Sequence, residues 1–191
     1  VNVTTSYHIN RSYIFLPNQF WVHKNHLLVL TALANLAPAD RPLIVATGST
    51  FDHRRSDHFS LVMHSLNSLG LRDSFLILGS VPRSHFIALM SHASAFLNPS
   101  RSEGWNTSVE EAKLFNLPLL LSDIPVHREQ ANVNSFFFSP NDHVRLSNLL
   151  RTFGSVDNQL ANRKFSHTLY SNYRRNFAVM LYNLFFNASV Q

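Results

Sequence analysis

Short apolar runs alternate with segments of helical periodicity along most of this chain. The runs are bounded by turn-forming residues, and they predict β-strands at Ser12–Leu16, Pro42–Thr47, Phe75–Gly79, Ala95–Leu97, Pro118–Ser122 and Ser135–Pro140. Strands that are apolar without alternation are typical of a parallel sheet that is covered on both faces. We therefore predict a Rossmann-like three-layer α/β/α sandwich with a parallel sheet of about six strands.

The segments between these runs predict the covering helices. After the first strand, an apolar helical face is formed by Leu27, Leu28, Leu30, Ala32 and Leu33. Further helices are predicted from near Ser56 to Gly70, from Ser84, within Asp123–Gln130, and from a cap at Asn141 or Asp142 through Phe153. Asn116 is predicted to end the helix before the fifth strand in a left-handed conformation.

The whole chain, residues 1–191, is predicted to be a single domain with its core at about 12–155 and a helical tail at about 156–191. The last helix of the tail, RRNFAVMLYNLFF, is too short to span a bilayer. Its apolar face has three interpretations, which are core packing, docking on a further domain, and lying on a membrane surface.

One stretch, Asn98–Gln130, concentrates acidic side chains and loop-forming residues. Glu103 lies in a Ser/Arg/Gly loop, and Glu111 lies just inside the next predicted helix. Thr107 and Glu110 have the T-x-x-E spacing of a capping box, so the helix is predicted to start at Thr107 with Glu110 in the cap. Because a helix N-terminus favours anions, this stretch predicts a phosphate-bearing ligand whose hydroxyl-rich part is held by a carboxylate.

Composition and charge narrow the function classes. Hydrophobic residues make up 45% of the chain and charged residues 14%, which is typical of a globular protein. Cysteine is absent, so disulfides and thiolate metal sites are excluded and a reducing compartment is favoured. The net charge of +5 is scattered rather than massed in a run. It suits an anionic ligand and leaves nucleic-acid binding as a weaker alternative.

Eleven histidines suggest a metal site, but their spacing does not support one. His23 and His26 are three residues apart, and His53, His58 and His64 are only loosely clustered. No carboxylate or second histidine pair completes a tetrahedral set in the sequence. We therefore predict no metal site and interpret these residues as surface or hydrogen-bonded histidines.

The stretch PSRSEGWNTSVEEAKLFNLPLLLSDIPVHRE resembles the donor-binding region of family 4 glycosyltransferases, whose pattern is PS-x-x-EG, six residues, EA, a turn, and P before a strand. Upstream, FLPNQFWVHKNH, ATGSTFDHR and LGSVP are similar to the family's first three strand–loop units in order and spacing. The resemblance covers about Tyr13 to Pro140. It implies the C-terminal, nucleotide-sugar half of a GT-B architecture.

The resemblance also implies roles for the acidic and basic residues. Glu111 would accept hydrogen bonds from the ribose hydroxyls, and Glu103 would lie beside the donor sugar as a catalytic residue. Lys24 would be the second catalytic residue, with its ammonium offsetting charge on the diphosphate. It follows the first strand, at the edge of the sheet where open α/β folds bind ligands. Gln19 stands where the family often has an arginine, so Arg54 or Arg55 would supply the missing charge.

Main-chain groups complete the implied donor site. Backbone amides at Asn106 and Thr107 would hold the distal phosphate, although the family commonly has glycine at the position of Asn106. Ser80 and Val81 would meet the nucleotide base. The resemblance also implies that positive groups replace a divalent ion, so the chain would need no cofactor other than its nucleoside-diphosphate-sugar substrate.

On this reading the chain is part of a retaining hexosyltransferase of polysaccharide biosynthesis that acts on a glycan or lipid-linked acceptor. It lacks a counterpart of the N-terminal acceptor domain, so we expect it to be incomplete and inactive alone, and the Val1 start favours a missing part of the same polypeptide. We expect it in the cytoplasm or at the cytoplasmic membrane face. The alternative function is a non-catalytic nucleotide-binding module.

Each residue also has a plainer interpretation from the sequence. Glu111 would be a solvated helix carboxylate, Lys24 and Arg54 would be surface charges, and Ser80 and Val81 would form an ordinary strand-end turn. A glycosidase pair of Glu103 and Glu111 is disfavoured. Retaining glycosidases hold their carboxylates about 5 Å apart, and a ribose-binding glutamate would be too remote for that.

Overall fold

The computed structural model describes residues 3–154. The predicted tail at 156–191, including its last helix, lies outside the described residues. The strands are β1 Tyr13–Leu16, β2 Leu43–Ala46, β3 Phe75–Ile77, β4 Ala95–Asn98, β5 Leu119–Ser122 and β6 Ser135–Phe138. The helices are α1 Val3–Ser6, α2 His26–Ala34, α3 His58–Ser68, α4 Arg83–His92, α5 Thr107–Leu114, α6 Pro125–Gln130 and α7 His143–Gly154.

The six strands form one parallel sheet in the order β3-β2-β1-β4-β5-β6. Strand β1 lies in the middle of the sheet between β2 and β4. Its Ile14 is paired with Ile44 of β2 on one side and with Ala95 of β4 on the other. The strand order therefore reverses between β1 and β4. The predicted Rossmann-like α/β class is confirmed, and each predicted strand is present with its ends shifted by no more than two residues.

Two hydrophobic cores cover the two faces of the sheet. Ile14 and Leu16 of β1 pack into one core with α2, α3 and α7, whereas Tyr13 and Phe15 pack into the other with α1, α4 and α5. All four of these β1 side chains are fully buried. The continuous apolar runs of the sequence are explained by this double coverage.

Several helix-end signals act as the sequence predicts. Asn116 has φ 52° and Gly70 has φ 61°, so both end their helices in the left-handed region. Asp142 caps α7 by accepting a hydrogen bond at Oδ1 from the amide of Arg145 at 2.8 Å. The prediction for Leu27 is wrong, because its side chain on α2 is 36% exposed. The short helix α1 was not predicted.

Among residues 3–154, no helix is both long enough and apolar enough to cross a bilayer.

Candidate functional site

The carboxyl ends of β1 and β4 create a polar crevice at the point where the strand order reverses. Asn18 follows β1, Asn98 ends β4, and both are buried. The side-chain nitrogen Nδ2 of Asn18 donates to Oδ1 of Asn98 at 3.0 Å. The same oxygen accepts from the backbone N–H and the hydroxyl of Ser100. These bonds join the two loops just above the sheet. Crevices of this kind are where open α/β folds bind their ligands.

Lys24 and Glu103 form the charged centre of this crevice. The Lys24 ammonium lies 2.7 Å and 2.8 Å from the two carboxylate oxygens of Glu103, although the residues are far apart in sequence. Their side chains are only 13% and 8% exposed. Burial raises the pKa of Glu103, but the hydrogen bonds and charge of Lys24 outweigh it, so the pKa is lowered overall and the carboxylate is ionised at neutral pH.

Lys24 is held at the site by the residue that follows it. Asn25 adopts a left-handed conformation, with φ 61°, between a 3₁₀ turn and α2. Its buried side-chain amide donates to the carbonyls of Pro99 and Pro140, each at 3.0 Å. The loops after β1, β4 and β6 are therefore joined at one point, and the backbone of Lys24 is fixed beside the β4 loop.

A cleft of about 180 Å³ lies next to this ion pair. It includes the predicted site residues Gln19, Lys24, Glu103, Asn106 and Thr107, and its other lining residues are Pro17, Asn18, Trp21, Trp105 and Ser108. Five residues predicted from the sequence are thus brought together on one surface.

The start of α5 forms one wall of the cleft, and its cap differs from the prediction. The N-cap is Asn106 rather than Thr107, since Oδ1 of Asn106 accepts from the amide of Val109 at 3.2 Å. The other side-chain atom, Nδ2, donates to Glu103 at 3.2 Å. Asn106 has φ −94°, an ordinary extended conformation, so this position does not require glycine. The residues that open the helix, Asn106, Thr107 and Ser108, all line the cleft.

Glu110 is not part of a capping box. Its carboxylate is buried, 2.6 Å from the ammonium of Lys113, and it accepts from the side-chain amide of Gln130 at 2.9 Å. Gln130 also donates to the carbonyl of Asn106 at 2.9 Å. Glu110 therefore anchors α5 to α6 through Gln130, which also holds the carbonyl of Asn106 at the helix start.

Glu111 lies one turn into α5, beyond the residues that line the cleft. Its carboxylate is held by Arg83 at the start of α4, with one guanidinium nitrogen 2.6 Å from Oε1 and the other 3.2 Å from Oε2. The Arg83 side chain is 63% exposed, and the Glu111 side chain is 24% exposed. The carboxylate predicted to bind ribose is thus half-buried and carries a counter-ion from a different helix.

Two glycines join the loop after β3 to the loop after β2, which packs against the residues that follow β1. Gly48, with φ 136°, donates its amide to the carbonyl of Gly79 at 2.8 Å. A Cβ atom at Gly48 would lie 2.7 Å from backbone atoms of Asn18 and Gln19, so only glycine fits there. Ser80 and Val81 follow Gly79 and lead directly into α4, which begins at Arg83.

The two arginines proposed for the missing phosphate charge lie outside the residues that line the cleft. Arg54 contacts Oδ1 of Asp52 at 3.4 Å and lies 5.1 Å above the ring of Trp21. Arg55 is exposed and pairs with Asp57. Of these two, only Arg54 is connected to the cleft, through Trp21.

The buried histidines have structural surroundings. His26 stacks on Phe20 with ring centroids 4.2 Å apart, and burial lowers its pKa to about 3. His127 is fully buried with Nδ1 2.9 Å from the carbonyl of Ser122, and burial lowers its pKa as well. Within residues 3–154, no three His, Asp or Glu side chains are grouped closely enough to hold a metal ion.

Sequence reasoning missed several residues of the site. Trp105 lies inside the recognised motif and Asn18 directly follows the first strand, so their positions offered a signal. Asn98, Gln130 and Arg83 offered none, because each acts through a partner that only the tertiary structure brings near.

The strand order and the polar cleft at its reversal define a doubly wound, Rossmann-like α/β domain with a ligand-binding crevice. A comparison with family models adds the particular family. The model described as "Glycosyl transferases group 1" matches residues 9–167, and the chain belongs to this family.

Two curated relatives are similar to this chain at 27% and 26% identity. The chain is 27% identical over 132 residues to the O-antigen chain mannosyltransferase RfbU of Salmonella typhimurium, covering 69% of this chain and 35% of the relative. It is 26% identical over 153 residues to a glycosyltransferase 1 domain-containing protein of Xenopus tropicalis, covering 72% and 44%. The chain therefore spans less than half the length of these two relatives.

Solved structures share the fold. HepE from Anabaena, in complex with UDP and glucose, superposes with a TM-score of 0.72 at 16% identity, over 93% of this chain and 52% of HepE. A glycosyltransferase from Rickettsia africae superposes with a TM-score of 0.71 at 20% identity, over 92% of this chain and 49% of that protein. At these identities the likeness shows the fold.

Proposed function

We propose that this chain is the C-terminal, donor-binding half of a retaining, metal-independent family 4 glycosyltransferase. The whole enzyme would transfer a hexose from a nucleoside diphosphate to a glycan or a lipid-linked acceptor. The observation that carries the proposal is the buried Lys24–Glu103 pair beside the start of α5 at the reversal of strand order. The UDP complex of HepE, which has the same fold, supports a nucleoside diphosphate as the ligand.

The diphosphate is assigned to the cation and the helix start. Lys24 supplies a positive charge, and the opening amides of α5 at Asn106 and Thr107 supply hydrogen-bond donors, which together stabilise an anion. Both groups line the same cleft as Glu103. Because the cleft already holds these groups before a ligand arrives, little reorganisation is needed when negative charge develops on the leaving group.

The transfer step uses the two charges of the pair. The bond between the anomeric carbon and the diphosphate oxygen breaks, and its electron pair leaves with the diphosphate that Lys24 stabilises. Glu103 stabilises the positive charge that develops at the anomeric carbon. The acceptor hydroxyl oxygen attacks from the same face, and its proton goes to the departing phosphate, so the anomeric configuration is retained.

The remaining donor contacts follow from the same assignment. Glu111 accepts hydrogen bonds from both ribose hydroxyls, since one carboxylate can serve a vicinal diol. Ser80 and Val81 meet the base, and Gln19 and Arg54 lie at the phosphate end. Charge compensation by Lys24 and the helix amides makes a divalent ion unnecessary. The acceptor is bound by a second domain, and the enzyme works in the cytoplasm or at the cytoplasmic face of the membrane.

Calorimetry with UDP and GDP tests the donor site. Substituting Glu111→Ala removes two hydrogen bonds to a charged acceptor, each worth about 1.5 kcal/mol, so we expect affinity to fall about a hundredfold. Glu129→Ala is the matched control, because it removes an exposed carboxylate from α6 and is expected to leave affinity unchanged. Binding of neither diphosphate, or equal affinity of the Glu111→Ala variant and wild type, would contradict the proposal.

A sugar-transfer assay on the full-length protein separates an enzyme from a non-catalytic nucleotide-binding module. The proposal predicts transfer with retention at the anomeric carbon and no loss of activity in a chelator. Glu103→Gln should lower the turnover rate more than it lowers nucleotide affinity, because the glutamate acts at the sugar rather than at the nucleotide.

A further inference from the structure

Arg83 occupies both oxygens of the one carboxylate that the proposed function assigns to ribose. Its guanidinium forms two hydrogen bonds to Glu111, at 2.6 Å and 3.2 Å. It also lies 5.0 Å above the ring of Phe86, one turn along the same helix. Arg83 is close in sequence to the loop assigned to the base, because α4 begins at Arg83, two residues after Val81.

A forked contact of this kind conflicts with a diol. Guanidinium and a vicinal diol both present two parallel donors, and both place them on the two oxygens of a carboxylate. Glu111 is 24% exposed, so the protein already covers most of its surface. The ribose hydroxyls therefore compete with Arg83 for the same side of Glu111.

We propose that Arg83 is a displaceable counter-ion that competes with the ribose for Glu111 and thereby sets the affinity and ribose selectivity of the donor site. This inference rests on the proposed function. In the empty protein Arg83 holds the carboxylate in place and neutralises it. When the donor binds, the ribose takes over the carboxylate, and the guanidinium withdraws into solvent.

The exposure of Arg83 makes this displacement inexpensive. Its side chain is 63% exposed, so water solvates the guanidinium when it leaves Glu111, and an ion pair with one exposed partner contributes little to stability. The other glutamate of the same helix shows the contrast. Glu110 is buried with Lys113 and Gln130, so its partners cannot be displaced without leaving a buried charge. Two adjacent glutamates are thus divided into a fixed one and an exchangeable one.

The test is calorimetry of the Arg83→Ala variant with UDP and with 2′-deoxy-UDP. Competition predicts that UDP binds about twofold to fivefold more tightly to the variant than to wild type. The gain should be smaller for 2′-deoxy-UDP, which lacks one hydroxyl of the diol. The direction of the change in affinity is decisive. If Arg83 acted only by long-range attraction, removing its positive charge would weaken the binding of an anionic ligand.

Arg128→Ala is the matched control. Arg128 also forks a carboxylate, that of Asp123, with two contacts of 2.7 Å, and it lies 3.9 Å above the ring of Phe137. It does not contact Glu111, so its removal measures the effect of net charge alone. Arg83→Lys keeps the charge but loses the two-pronged contact. Its affinity for UDP should lie between those of wild type and Arg83→Ala.

The outcomes distinguish this inference from the function on which it rests. If wild type binds neither UDP nor GDP, the proposed function fails. If wild type binds UDP and the Arg83→Ala variant binds it equally or more weakly, relative to Arg128→Ala, only the competition is overturned. An equal gain for UDP and 2′-deoxy-UDP would also overturn it, because the gain would not depend on the diol.

Discussion

Replacing Lys24 with methionine removes the only charge that the structure places directly on Glu103 within the described residues, while a similar side-chain volume is retained. The Glu103 carboxylate is 8% exposed, and its burial disfavours the ionised form that Lys24 stabilises in the wild type. Loss of one partner from a fully buried pair costs about 3–5 kcal/mol. The side-chain amides of Asn106 and Asn98 still donate to Glu103, at 3.2 Å and 3.4 Å, and the cleft admits water. We therefore expect Lys24→Met to lower the free energy of unfolding by about 2 kcal/mol at pH 7.

The assay is urea unfolding of wild type, the two single variants and the double variant Lys24→Met/Glu103→Gln. The double variant should be more stable than Lys24→Met, because the amide carries no buried charge. Arg55→Met is the exposed control, since Arg55 and Asp57 both lie at the surface, and we expect no measurable change there.

The pH dependence follows from the lowered pKa of Glu103. A carboxyl group whose pKa is lower in the folded state adds stability above its unfolded pKa, near 4.5, and loses it as the pH falls through the folded value. The difference between wild type and Lys24→Met should therefore narrow below about pH 4. Equal stability of the two proteins at pH 7, or additive effects of the two single substitutions, would refute this account of the ion pair.

Two further substitutions test other parts of the structure. Gly48→Ala places a Cβ atom 2.7 Å from the backbone of Asn18 and Gln19, at φ 136°, and should cost at least about 2 kcal/mol in urea unfolding. Gly104→Ala, which meets no atom within 4 Å, should change stability little, and equal effects of the two would show that the close approach is relieved. The pKa of His26 is lowered to about 3, so the unfolded state binds more protons between about pH 3 and 6.5, and stability rises with pH in that window. His26→Phe should reduce the slope by up to about 1.4 kcal/mol per pH unit, and an unchanged slope would place its cause in other groups.

The fold could be predicted from the sequence because local signals and burial agree. Apolar runs of three to six residues mark strands that are covered on both faces. Asn116 and Gly70 mark helix ends by their backbone preferences, and Asp142 marks one by its side-chain cap. Helix α1 was missed because four residues carry too little periodicity. Leu27 was included in the apolar face of α2, but apolar character alone does not show which part of a broad face is buried.

The site was predicted only in part, for a different reason. Asn106 and Thr107 are adjacent residues that both favour a cap position, and the choice between them depends on Glu110, which bonds to a distant residue instead of to the helix start. The same holds for Glu111, whose partner Arg83 is 28 residues away. Motif spacing identifies which residues gather, whereas the pairing among them is decided by elements that are far apart in the chain.

The hydrogen bond between Asn18 and Asn98 has a consequence for how the chain acquires its cleft during synthesis. The bond joins residues 80 positions apart, and it belongs to the seam where the first-made half of the sheet meets the second. A nascent chain that ends before Ala95 can pair β1, β2 and β3, yet it presents the edge of β1 where β4 later docks. The cleft takes Asn18 and Lys24 from the first half and Glu103 and Asn106 from the second, so the ligand-binding surface is complete only after the start of α5 has been synthesised.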